Sequence, residues 1–129
     1  MKKLSPRRKL EKALDKLSKD CAKARDKYIC QKCGKVGGQM HGSHVIPVSA
    51  GKRLRWDIMN IKCLCAYCHR RFWHSSPMEA CKWFSEVFPE RWEYLQREKA
   101  KGSKKWSIEE LELLKDWLED YLEELDISN

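Results

Sequence analysis

Two Cys-x-x-Cys pairs, Cys30/Cys33 and Cys65/Cys68, constrain this chain more than any other feature. Each pair offers two thiolates from one tight turn, and two such knuckles make a closed four-sulfur Zn2+ site with no position left open for catalysis. Structural zinc bound in this way draws residues 30–33 and 65–68 together and folds back whatever lies between them. Any chemistry must come from side chains between and just after the knuckles, where His44, Asn60 and His69 stand. The cysteine count is odd, at seven, which argues against a disulfide framework. Cys21, Cys63 and Cys81 do not share the spacing and read as buried reduced thiols.

Charge distribution says more than the net charge of +8. Residues 107–129 carry a net −8, so residues 1–106 carry +16. A body that basic implies a polyanionic partner, most simply nucleic acid, with Lys52, Arg53, Arg55, Arg70 and Arg71 as phosphate contacts. No apolar run approaches the ~18 residues that span a bilayer, and the N-terminus lacks a secretory apolar stretch. A cytoplasmic location is expected, the host cytosol if the protein is phage-encoded.

Ser5-Pro6 reads as an N-cap with proline at the first helical position, and Leu10, Leu14, Leu17 and Cys21 recur at helical spacing over residues 6–26. Strands are expected at 39–46 and at 53–58, where Leu54 and Trp56 alternate with Arg53, Arg55 and Asp57, so that Asn60 ends the second strand. A helix from near Ala66 carries His69, Arg70, Phe72 and Trp73. Ser76-Pro77 is read as another N-cap, opening a helix that buries Met78, Cys81, Trp83, Phe84 and Phe88; Pro89 restarts the chain into a further helix. The aromatic spacing favours core packing over a base-stacking platform. After a polar linker, Ser107-Ile108-Glu109-Glu110 forms a capping box, and Leu111, Leu114, Leu118, Tyr121 and Leu125 step by three and four along a narrow apolar seam. The expected organisation is a basic helix at 1–28, a zinc-bound core at 29–76, a helical extension at 77–101 and an acidic amphipathic helix at 107–126.

Phosphodiester cleavage needs an activated water, a positive centre on the phosphate and geometry that holds both. His44 suits the base, His69 suits a ligand to a second, catalytic divalent metal, and Asn60 can hydrogen-bond backbone on both sides of the loop that aims His44. Ser43-His44-Val45-Ile46-Pro47, followed by Asn60-Ile61-Lys62-Cys63-Leu64-Cys65-Ala66-Tyr67-Cys68-His69, resembles the HNH endonucleases, whose four-cysteine members hold a structural zinc at these pairs. That resemblance implies an α+β fold with a ββα-metal (His-Me finger) core, here flanked by a long N-terminal helix and C-terminal helices. It also implies general-base, structural and metal-ligand roles for His44, Asn60 and His69. Many members carry an acid or histidine before the base as second metal ligand. Ser43 stands there in this chain, which leaves His41 and His74 as the available imidazoles. The catalytic ion is expected to be Mg2+ or Mn2+.

A further resemblance covers roughly residues 21–99. Ala24-Arg25-Asp26-Lys27-Tyr28-Ile29-Cys30, Gly42-Ser43-His44, Leu54-Arg55-Trp56-Asp57 and the helix pair after Pro77 are similar to NinG proteins, the Rap-like phage recombination nucleases. This implies a structure-selective cut in branched DNA of the Holliday junction type. The alternatives are a sequence-tolerant nicking or double-strand nuclease and a zinc-stapled DNA-binding module without catalysis. Paired cuts across a junction need two sites, so the 107–126 seam is a candidate homodimer contact; packing onto its own domain is the competing expectation.

Overall fold

The computed structural model describes residues 3–128 and begins with the 20-residue helix α1, Pro6–Arg25. The Arg8 N–H donates to Ser5 Oγ at 3.2 Å, with Pro6 opening the helix as the sequence predicts. Leu14, Ser18, Cys21 and Ala22 form its buried face. Immediately after the helix, the Asp26 carboxylate accepts the Cys63 N–H at 2.9 Å and pins α1 to the sheet.

Strand β1, Met40–His44, and strand β2, Ile61–Cys65, pair antiparallel with Met40 opposite Cys65 and His44 opposite Ile61. The first strand lies within its predicted span, whereas the second does not. Residues 53–56 are turns, Ile58–Asn60 is a short 3₁₀ turn, and β2 starts only after Asn60. Leu54 and Trp56 are both buried, but in different cores. Leu54 packs in a cluster with Trp73 and Phe84, and Trp56 in one with Leu14 and Leu118. Their alternation thus records two burials from an irregular segment and not one pleated face. All five residues of β2 are buried, so that strand shows no alternation to read.

The helix after the second knuckle begins at Ala66 and widens to π pitch over Cys68–His74. Helix α2, Pro77–Val87, buries Ala80 and Phe84. Two expectations fail there. Met78 is 87% exposed in the first turn, and the Ser76 side chain caps nothing; the neighbouring Ser75 Oγ donates back to the Arg70 carbonyl at 2.8 Å. Trp83, Phe84, Phe88 and Trp92 meet through edge-on and tilted contacts, with α3, Pro89–Ala100, closing over them through buried Leu95. This is core packing.

Helix α4, Ile108–Ser128, starts with the predicted reciprocal capping box. Ser107 N–H donates to Glu110 Oε1 at 3.0 Å, and Glu110 N–H donates to Ser107 Oγ at 3.1 Å. Leu111 and Leu118 are buried against Leu14, Cys21 and Trp56, with Leu114 and Tyr121 packed on the same cluster. The seam is therefore closed within the chain and is not a free dimer face. Leu118→Ala is expected to cost about 2–5 kcal/mol through the cavity it leaves against α1. A lowered urea midpoint without change in sedimentation is the expected result. Among the described residues no helix is long and apolar enough to cross a membrane.

Candidate active site

The two knuckles converge as their spacing predicts. Cys30, Cys33, Cys65 and Cys68 place their sulfurs within 4.8 Å of one another. The 3.8 Å between the Cys33 and Cys65 sulfurs matches the edge of a zinc tetrahedron, about 3.8 Å for Zn–S bonds of about 2.3 Å. Gly34, at φ +78°, lets the first knuckle turn, and Gln31 N–H donates to the Cys63 carbonyl at 2.9 Å to tie that knuckle to β2. Burial and the three neighbouring thiols push the Cys68 thiol up, the cost of crowding four sulfurs that a dication offsets. The donor set fits structural zinc. Of the other three cysteines, Cys21 and Cys63 are buried as expected, while Cys81 is half-buried in a cleft wall.

That cleft, about 440 Å³, lies along β1 and is lined by His44, His69, His74 and Trp73 among others. His44 ends β1, where its Nε2 lies 2.9 Å from the Arg55 carbonyl. A carbonyl only accepts, so Nε2 carries the proton and Nδ1 keeps its lone pair. Burial holds the His44 pKa below its ordinary 6.5 despite that hydrogen bond, so the ring is neutral at pH 7.

Asn60 fixes this arrangement from full burial. Its Oδ1 accepts the Ile46 N–H at 2.8 Å, and its Nδ2 donates to the Ile46 carbonyl at 2.9 Å and the Leu54 carbonyl at 3.1 Å. One side chain thereby clamps the segment leaving His44 to the segment whose next carbonyl orients His44. Asn60→Ala would leave the buried Ile46 N–H and carbonyl unpaired, while the Leu54 carbonyl keeps the Asp57 N–H at 3.3 Å, and a loss of about 2–4 kcal/mol is expected in a urea titration.

The remaining histidines gather around His69, which with His74 lines the same cleft as His44. Alternation turns Gly42 and His44 toward α1, and His41 and Ser43 toward the π-helix. His69 Nδ1 is 2.8 Å from His41 Nδ1, and His69 Nε2 is 3.0 Å from His74 Nε2. The π pitch, which closes turns at i+5, brings His69 and His74 onto one face with ring centroids 4.6 Å apart. Burial, with His74 and His41 beside it, pushes His69 down to about 4, so its ring is neutral. Two metal–nitrogen bonds of about 2.1 Å at a right angle place their nitrogens about 3.0 Å apart, so either imidazole pair fits two adjacent corners of one ion. His69 meets the other two through different nitrogens. Among the described residues, only the four cysteines converge as a group of three or more.

Ser43 is buried at 1% exposure, and its Oγ accepts a hydrogen bond from Lys62 Nζ at 3.1 Å. Lys62 lies opposite Ser43 in the register, with its Nζ 3.1 Å from the Trp73 ring centre. Burial, reinforced by Arg91, pushes this lysine down to about 6. The position before His44 thus faces an internal lysine and not the cleft. Nothing in the composition signalled Lys62, because an isolated lysine within a strand ordinarily reads as solvent-facing.

Of the expected phosphate contacts, Arg70 and Arg71 are exposed beside His69. Lys52 is half-exposed and 3.3 Å from Glu11, and the Arg53 guanidinium donates to the Gly102 carbonyl at 2.7 Å. Arg55 requires correction. Its guanidinium grips Asp15 on α1 with bonds of 2.9 and 2.8 Å, and Trp56 Nε1 donates to the same carboxylate at 2.8 Å. Arg55 therefore anchors the carbonyl that orients His44 and is not free for phosphate. A helix acid was available as its partner in sequence, but the pairing spans 40 positions and carries no local signal.

No curated protein and no solved structure matches the chain. His69, the clamped His44 and the cysteine cluster nevertheless coincide with a known sequence pattern. Residues 30–72 match the family model described as HNH endonuclease, a segment that contains both knuckles with His41, His44, Asn60 and His69 and supports a nuclease or DNA-binding role.

Proposed function

We propose that the protein is a metal-dependent endonuclease that hydrolyses DNA phosphodiester bonds with His44 as general base. The observation that carries this reading is the protonated Nε2 fixed on the Arg55 carbonyl, which leaves Nδ1 as an acceptor at a cleft shared with two further imidazoles. His44 Nδ1 takes a proton from the attacking water. His69 and His74 would hold the catalytic ion at the cleft, with His41 supporting His69 from behind. Such an ion supplies Lewis-acid stabilisation of the phosphate and the leaving oxygen. Imidazole donors favour Mn2+, Ni2+ or Zn2+ over Mg2+. Arg70, Arg71, Lys52 and Arg53 are the proposed DNA-facing cations.

The finer reading, a branched recombination intermediate as substrate, rests on the resemblance to NinG proteins. A four-way junction cut at least tenfold faster than linear duplexes of the same arms supports it, and equal rates favour a sequence-tolerant nuclease. Because the base form of His44 is the neutral ring, the cleavage rate should rise with pH and level off. The midpoint of that acid limb should lie below 6.5, since burial lowers the pKa. A single-turnover pH profile with its acid midpoint above 7 would refute His44 as the base.

A further inference from the structure

We propose that Lys19, on α1 and outside the 30–72 segment, is the cation that holds the phosphate entering the cleft; this rests on the nuclease reading above. The phosphodiester gains a second negative charge in the transition state, and a fixed cation beside the proposed metal ion stabilises it. Among the described residues Lys19 is the one lysine or arginine on the cleft wall, which it shares with His44, His69 and His74.

Its position is built into the fold. The Lys19 stem lies across Gly42, where an added Cβ would come within 2.7 Å of the lysine Cγ and 2.8 Å of its Cβ. Helix and strand approach this closely only because residue 42 has no side chain. The stem is thus laid against β1 two positions before His44, on the wall of the same cleft.

The ammonium is also available. Asp15, one helical turn earlier, is where an i,i+4 partner would stand. Its carboxylate is instead taken by Arg55 and Trp56. Among the described residues Lys19 makes no ion pair, whereas its neighbours Lys16 and Lys23 both pair with Asp20. A lysine with a packed stem and an unpaired head beside a neutral base suits a phosphate oxygen.

The test uses the full-length protein and two readouts. Lys19→Met keeps the stem and removes the charge, and should slow single-turnover cleavage of a duplex by about 10²–10³-fold. Lys19→Arg should recover much of that loss. In a His44→Ala background, which binds DNA without cutting it, Lys19→Met should reduce the slope of log affinity against log salt by about 0.9, the signature of one lost phosphate contact. Gly42→Ala should shift both readouts the same way by displacing the stem, and thermal melts establish that each variant is folded. An unchanged salt slope overturns the proposal, whether or not the rate falls. A wild-type protein that cuts nothing, while Lys19→Met still lowers the slope, removes the nuclease reading and leaves the phosphate contact standing.

Discussion

Cys68→Ser is expected to unfold the core of the protein, and exhaustive zinc removal should do the same. Cys65 and Cys68 lie in the apolar cluster with Leu64, Trp73 and Phe84, so the site is inside the core that it organises. Structural zinc binding is worth about 10–16 kcal/mol in small metal domains, comparable with or larger than the ~5–15 kcal/mol that stabilises a typical domain. A sheet of two five-residue strands is not stable by itself. Loss of the near-ultraviolet signal of the buried tryptophans, with one zinc released per chain, is the expected readout. Folded, active protein that contains no zinc would contradict the staple.

His44→Ala is expected to lower the single-turnover cleavage rate by about 10²–10⁴-fold while leaving DNA affinity within a few-fold. The substitution removes the Nδ1 acceptor and touches neither zinc ligands nor any proposed phosphate contact. It also frees the Arg55 carbonyl, but His44 is only half-buried, so water can pair with that oxygen. The stability loss should therefore be smaller than for Asn60→Ala, whose backbone partners are fully enclosed. A slow His44→Ala enzyme with an unaltered melting temperature is the pattern that separates a catalytic base from a structural histidine. His69→Ala should resemble it in rate, with activity returning in part at high metal concentration if His74 retains the ion.

The strongest sequence signals were those set by local covalent spacing. Cys-x-x-Cys pairs, the Ser5 cap and the Ser107–Glu110 box all specify contacts within a few residues or through one shared ion. Signals failed where burial came from two sides. Ile61–Cys65 is buried throughout and shows no period, while Leu54 and Trp56 alternate without a strand because each enters a different core. The π pitch of Cys68–His74 was not legible either, although it decides which nitrogens of His69 and His74 meet. Pairings across long separations left no trace. Arg55 reads as a free phosphate ligand until α1 brings Asp15 to it, and nothing within the expected 39–46 strand marks Gly42 as the place where Lys19 lies across it. The α4 seam illustrates the same limit, since its stepping fits a partner helix equally well whether that helix is α1 or a second copy.

Cleavage itself is the most direct test of the central claim. Zinc-loaded protein, freed of other metals, should be incubated with an end-labelled four-way junction and with its linear arms, adding Mn2+, Ni2+ or Mg2+ or a weak chelator that spares the four-cysteine site. Cleavage restored by at least one added ion and absent with the chelator is the predicted result. Tight DNA binding with no cleavage of any substrate under any added ion would contradict it and identify a zinc-stapled DNA-binding module.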